Sequence, residues 1–191
     1  MASIANEVKV ANLALTKLGA DRIISITEDS ENARKVNAVF ELIRDEVLRQ
    51  HTWNFALDRR ELNRLTDTPA FGYSYYFQIP GDVLRIISAE TSDIEFTVEG
   101  DRIATNEGTF YALCIIRTTD TTKWTTDFVT TFAARLAAEL AYPIANSHTL
   151  AAQLMDIYIA KIREIAGVDS QEGSQNAIET TTWLTSRFTG T

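Results

Sequence analysis

Apolar residues recur at helical spacing over the first fifty positions. Ile4, Val8, Ala11, Leu15 and Leu18 fall on one stripe, which predicts a first helix capped by Ser3 and stopped at Gly19, where a left-handed conformation suits glycine. Arg22 to Ile26 reads as a short apolar connector. Thr27-Glu28-Asp29-Ser30 then offers hydroxyl and carboxylate groups at the positive pole of a second helix. That helix runs to about His51 and buries Val36, Phe40, Ile43 and Val47, flanked by Val39 and Leu42, with Arg34, Lys35, Glu41, Arg44 and Asp45 assigned to the wet side. Between Arg44 and Leu62 the period changes: Trp53, Phe55 and Leu57 alternate with polar or small residues, as on a half-buried strand.

Strand and turn signals dominate from Phe55 to Arg117. Pro69 and Gly72 break the chain, and Tyr73, Tyr75, Phe77 and Ile79 then alternate with Ser74, Tyr76 and Gln78. Ile79-Pro80-Gly81-Asp82 places proline and glycine at the centre of a type II turn, before Val83 to Ser88 resumes extended structure. Ile94, Phe96 and Val98 lead to a second hairpin at Glu99-Gly100-Asp101, and Phe110 to Ile116 is apolar throughout, as a central strand would be. Helical spacing returns after the polar linker Thr118 to Lys123. Trp124 is placed to staple onto Val129, and Val129, Phe132, Ala133, Leu136 and Leu140 line a third helix whose alanines permit close packing. Pro143 kinks or ends it. Asn146 or Ser147 caps a fourth helix with Leu150, Leu154, Ile157, Tyr158, Ile162 and Ile165 on its face and Gly167 as its stop.

The expected fold class is α+β: a four-helix bundle with an antiparallel β-sheet subdomain inserted between helices 2 and 3, plus an extended C-terminal arm. Residues 1–53 would supply helices 1 and 2, 54–122 the β subdomain, 123–167 helices 3 and 4, and 168–191 the arm. Asp169 to Asn176 has almost no apolar content, which predicts a mobile tether. Trp183, Leu184, Arg187 and Phe188 beyond it have the composition of interface anchors, so a docked arm is expected in preference to one folded back on the bundle.

Composition narrows the chemistry. With 191 residues, 45% of them hydrophobic, the chain can bury a core of its own. A net charge of -8 argues against a phosphate-neutralising surface and hence against sequence-specific DNA binding. The one cysteine, Cys114, lies in an apolar run and reads as a buried thiol of a reducing compartment. No basic-then-apolar leader and no stretch of about 18 apolar residues is present, so neither secretion nor a membrane location is expected. His51 and His148 lack companions at ligand spacing and read as surface or capping residues, so no metal and no cofactor is expected. The cluster Phe71, Tyr73, Tyr75, Tyr76 and Phe77 could stack bases or sugars, but the absence of neighbouring cations favours a sheet core.

Four segments in order carry a resemblance: Ala14-Leu15-Thr16-Lys17-Leu18-Gly19-Ala20; Arg44-Asp45-Glu46-Val47-Leu48 leading into His51-Thr52-Trp53-Asn54-Phe55-Ala56; Tyr76-Phe77-Gln78-Ile79-Pro80-Gly81-Asp82-Val83-Leu84-Arg85; and Leu136-Ala137-Ala138-Glu139-Leu140-Ala141. Their succession, over the whole chain, resembles the tail tubular protein A family, the head-to-tail adaptors of short-tailed phages (podoviruses). The resemblance implies a structural virion protein without catalysis, assembled in the host bacterial cytoplasm and located at the head-tail junction. About twelve copies would form a ring in which each subunit offers one surface to a different surface of its neighbour. That ring would sit under the portal protein, continue the DNA channel and seat the tail nozzle of the tubular protein B type. By the same resemblance the C-terminal arm reaches the portal, with Trp183, Leu184, Arg187 and Phe188 as its anchors. An acidic channel wall would repel phosphates and let DNA slide without specific binding. The free chain is then expected to be a monomer that assembles when its arm orders on the portal.

Two rival readings define tests. A tail-associated polysaccharide or peptidoglycan hydrolase would need a carboxylate pair, for which Asp93, Glu95, Glu99 and Asp101 around one hairpin are the candidates; a solvated acidic turn is the preferred account of them. A head-completion connector of another phage type would share the helices but lack a sheet insert of about sixty residues. A packaging factor would need a basic face, which the sequence does not offer.

Overall fold

The first helix, α1, spans Glu7–Lys17 and is capped by Asn6, whose Oδ1 accepts from the Lys9 N–H at 2.8 Å. The computed structural model describes residues 6–172, with 168–172 as backbone only. Ser3 and Ile4, expected to open α1, and Trp183, Leu184, Arg187 and Phe188 lie outside the described residues. Val10, Ala11, Ala14 and Leu15 are the buried face of α1. Gly19 (φ 67) closes it: the Gly19 and Ala20 N–H groups return to the carbonyls of Thr16 and Leu15, the paired bonds of a Schellman cap. The connector is pinned to α1 by Asn12, whose side chain accepts from the Ile23 N–H and donates to the Ile23 carbonyl, each at 2.8 Å.

Helix α2 spans Glu31–Gln50 behind Ser30, whose hydroxyl accepts from the Ala33 N–H. Its buried face holds Val36, Phe40, Ile43 and Val47 as the spacing predicts, but also Arg44, which was expected on the wet side. Arg44 lies four residues after Phe40, so the helical period carries it inward whatever its charge.

The alternating pattern at Trp53 does not make a strand. Asn54–Ala56 is a single 3₁₀ turn, and the first strand, β1, begins at Leu57. Trp53 and Phe55 are drawn instead into the helical core, where both rings meet Phe128. Seven strands follow, all paired antiparallel: β1 Leu57–Glu61, β2 Asn63–Arg64, β3 Tyr75–Gln78, β4 Val83–Ala89, β5 Phe96–Glu99, β6 Arg102–Thr105 and β7 Tyr111–Ile116. They form two sheets, ordered β1-β7-β4 and β2-β3-β6-β5. Between β1 and β2 stands only Leu62, whose N–H donates to the Phe110 carbonyl, so the chain passes from one sheet to the other at that residue. Gly100, with φ 65, takes the first of two loop positions between β5 and β6, the pattern of a type II′ hairpin. The Pro80 turn differs from expectation. The Val83 N–H bonds to the Pro80 carbonyl, and Gly81 is not among the glycines with positive φ, so the turn is shifted by one residue and is not type II. It joins β3 in one sheet to β4 in the other rather than closing a hairpin.

The three-stranded sheet is the middle of three layers. Leu57, Leu84, Ile87 and Ile115 pack into the helical core, while Val83, Ile86, Ala112 and Cys114 pack with Phe77, Ile103 and Phe96 of the four-stranded sheet. Helix α3, Thr126–Ala145, is buried nearly all round, and α1, α2 and α4 each pack against it. Thr125 caps its start, and the Trp124 ring lies against Phe128 and Phe132. Pro143 sits in the last turn without ending the helix, which stops at Asn146 (φ 49). Helix α4, His148–Glu172, starts on the Ser147 hydroxyl and continues past Gly167, which therefore is not its stop. Leu154 and Tyr158 are buried on it, whereas Ile157, expected on the same face, is exposed. The architecture is α+β, with four helices and a wholly antiparallel β unit between α2 and α3.

Candidate functional site

Ion pairs concentrate where the helices meet the β unit. The Arg44 guanidinium, buried on α2, donates through Nε to Asp45 Oδ1 at 2.9 Å, and Asp45 Oδ2 accepts from Arg117 Nε at 2.6 Å. Arg117 follows β7; its side chain also donates to the Gly81 carbonyl, and its backbone N–H reaches the Asp82 carbonyl at 2.7 Å. Arg60 of β1 bridges Asp58 and Asp82 at 2.6 and 2.8 Å. Glu46, the residue after Asp45, faces α3 instead, where Arg135 joins it to Glu139, both at 2.9 Å. The Arg60 hydrogen bond holds the Asp82 carboxyl below its ordinary range, and Asp82 and Asp58 together raise the Arg60 guanidinium. Arg44-Asp45 and Gly81-Asp82 belong to two of the sequence segments singled out above and meet at this seam through Arg117; Glu46 and Glu139, from the second and fourth segments, meet through Arg135 between α2 and α3. Sequence spacing showed none of this: Arg44 was expected on the wet side, and Arg60, Arg117 and Arg135 are distant from their partners in the chain.

Behind the seam, Phe128 of α3 meets four rings, those of Trp53, Phe55, Trp124 and Phe132, at centroid distances of 5.1 to 5.7 Å. The indole N–H of Trp53 donates to the Val47 carbonyl and that of Trp124 to the Thr118 carbonyl, so both polar edges are satisfied inside an apolar cluster. Of the two readings of His51, surface or cap, the second holds: it is the C-cap residue of α2, buried and edge-on to Trp53. His148 stacks on Tyr142 at 4.2 Å at the start of α4.

The aromatic strand also departs from its sequence reading. Phe77 is core, but cations do neighbour the tyrosines: Arg64 lies 3.7 Å over Tyr75 and Arg102 5.2 Å over Tyr76. Both surfaces are occupied from within the chain, since Tyr76 also donates to Glu99 and Tyr73 exchanges a hydrogen bond with Thr97. The four acidic candidates do not converge on a cavity. Thr91 holds Asp93 below its ordinary range by hydrogen bonding and Gln78 does so for Asp101, the reverse of what a general acid needs. Glu99 is engaged by Tyr76. Cys114 is sealed between the sheets, and burial pushes its thiol up, away from the reactive thiolate. Among the described residues no group of three His, Cys, Asp or Glu could hold a metal ion, and no helix is long and apolar enough to cross a membrane.

Two concavities border the three-stranded sheet. One, of about 410 Å³, opens beside Arg59, Tyr111 and Leu113, and the other, of about 360 Å³, lies between β4 and β5. Ser88 and Glu90 also line the first, with no hydrogen bond between them among the described residues. Comparison with known proteins adds no family. No protein-family model matches the chain, and no curated protein matches it. The surfaces therefore have to be read from their own chemistry.

Proposed function

We propose that the chain is a structural virion protein, a head-to-tail adaptor whose copies form a ring between portal and tail nozzle. The observation that carries this reading is the seam. Segments of α2, the β3–β4 crossover and α3, which in sequence carry the resemblance to the tail tubular protein A family, meet through Asp45–Arg117, Arg60–Asp82 and Glu46–Arg135–Glu139. Asp45–Arg117 ties α2 to the β unit, and the packing of Leu57, Leu84, Ile87 and Ile115 into the helical core makes helices and β unit one stiff wedge, as a ring subunit that must not hinge requires. The net charge of -8 supports the same reading, because carboxylates facing a channel would keep DNA from adhering. In this account the segment bearing Trp183, Leu184, Arg187 and Phe188 anchors the chain to the portal.

The test uses the purified full chain and the portal protein encoded in the same genome. Sedimentation should show a monomer for the chain alone and a complex of about twelve copies per portal ring when the two are mixed. Removing Thr182 to Thr191 should abolish the complex. Failure to bind the portal, together with absence of the chain from purified particles by mass spectrometry, would overturn the proposal; so would release of reducing sugar from peptidoglycan or capsule.

A further inference from the structure

One side of the β unit is left open. On the other side β1 runs into β2, but β4 and β5 are both edge strands, and the groove between them is lined by Ile79, Val83, Ile86 and Val98 together with Arg49 of α2 and Arg85 of β4. At seven residues β4 is the longest strand, and every position from Val83 to Ile87 is only half-buried. Soluble proteins ordinarily blunt such an edge with lysine, proline or shortness. The sequence Val-Leu-Arg-Ile-Ile-Ser-Ala is neither short nor interrupted by proline, and Arg85 is its one charge. Both of its irregularities concern the pairing with β7. On the outer side, the backbone groups of Leu84 to Ala89 have no hydrogen-bond partner among the described residues. The charge of the groove is equally unbalanced. Arg44, Arg60 and Arg117 nearby all hold carboxylates, whereas Arg49 and Arg85 have no ion-pair partner among the described residues, in a chain with net charge -8.

We propose that this groove receives an extended segment of a partner protein, apolar at alternate positions and bearing carboxylates that pair with Arg49 and Arg85, laid along β4 as an added strand. Main-chain hydrogen bonds to the free edge would give affinity, and the apolar floor and the two guanidiniums would give register and choice of partner. A nucleic acid strand fits less well, because its backbone has no use for the apolar floor of Ile79, Val83, Ile86 and Val98 or for the hydrogen-bonding edge of β4. The proposal does not rest on the adaptor reading and can survive its failure.

The experiment titrates the full chain into a fluorescein-labelled peptide, Val-Glu-Val-Thr-Ile-Glu-Val, and into the same peptide with lysine for glutamate. The acidic peptide should bind at least about tenfold more tightly, and the double variant R49E/R85E should reverse that preference, a swap that a misfolded variant could not produce. Hydrogen exchange should slow at the amides of residues 83–87. Equal binding of the two peptides, no binding, or protection elsewhere sinks the proposal. So does a synthetic peptide of residues 176–191 that displaces the probe and protects the same amides, which would make the chain's own segment the occupant. Displacement by single-stranded DNA in preference to the acidic peptide, or self-association of the free chain abolished by R49E/R85E, overturns it as well.

Discussion

At the scale of single residues, Phe128 is where the largest energies meet. It is fully buried and touches four other rings, so Phe128→Ala should cost about 3–5 kcal/mol, read as a fall in the urea midpoint at constant slope. Tyr158 makes the opposite case. Its hydroxyl is buried without a hydrogen-bond partner among the described residues, so Tyr158→Phe should leave stability unchanged or raise it by up to about 1 kcal/mol. Asp82 carries a pH dependence. Its carboxyl is depressed in the folded chain by Arg60, so the stabilisation it contributes is present above the ordinary carboxylate pKa of about 4 and is lost as pH falls through the lower folded value. Urea midpoints measured between pH 6 and pH 2 should therefore fall less steeply for Asp82→Asn than for the parent chain.

At the scale of elements, the helices were legible and their edges were not. Period alone placed Val36, Phe40, Ile43 and Val47 inside α2, because a stripe at helical spacing has one face to bury and one way to bury it. The same logic misplaced Arg44, since charge was allowed to outvote position. Trp53 and Phe55 mimic a strand because two aromatics spaced by two also fit a 3₁₀ turn that feeds both rings to Phe128, a partner more than seventy residues away in the numbering. Gly167 and Pro143 failed as stops for related reasons: a helix packed along α3 tolerates one poor former, and proline in the last turn forfeits little. The hairpin at Gly100 was fully readable, because only a positive φ satisfies a two-residue loop there. Gly100→Ala should cost about 1–2 kcal/mol by thermal or urea unfolding.

At the scale of the whole molecule, the sheet β1-β7-β4 is shared property: one face belongs to the helical core and the other to the second sheet. Helices and β unit should therefore unfold as one. Fluorescence of Trp53 and Trp124 in the helical layer and near-ultraviolet circular dichroism of the β-unit tyrosines should give coincident midpoints. Asp45→Ala, which leaves the buried Arg44 without its close partner and releases Arg117, should lower the common unfolding free energy by about 3 kcal/mol. This seam was invisible in sequence, because its members come from α2, β1, the β3–β4 crossover and the end of β7, and no spacing rule links them.

The sealed position of Cys114 has a practical side. It is the chain's one sulfhydryl, and it is walled in between two sheets. A maleimide dye offered to the folded chain should find nothing to react with. Cysteines introduced at Ile24 or Phe71, the two most exposed large apolar positions among the described residues, could then be tagged one at a time in an otherwise unaltered background, to measure whether and how closely two copies of the chain approach.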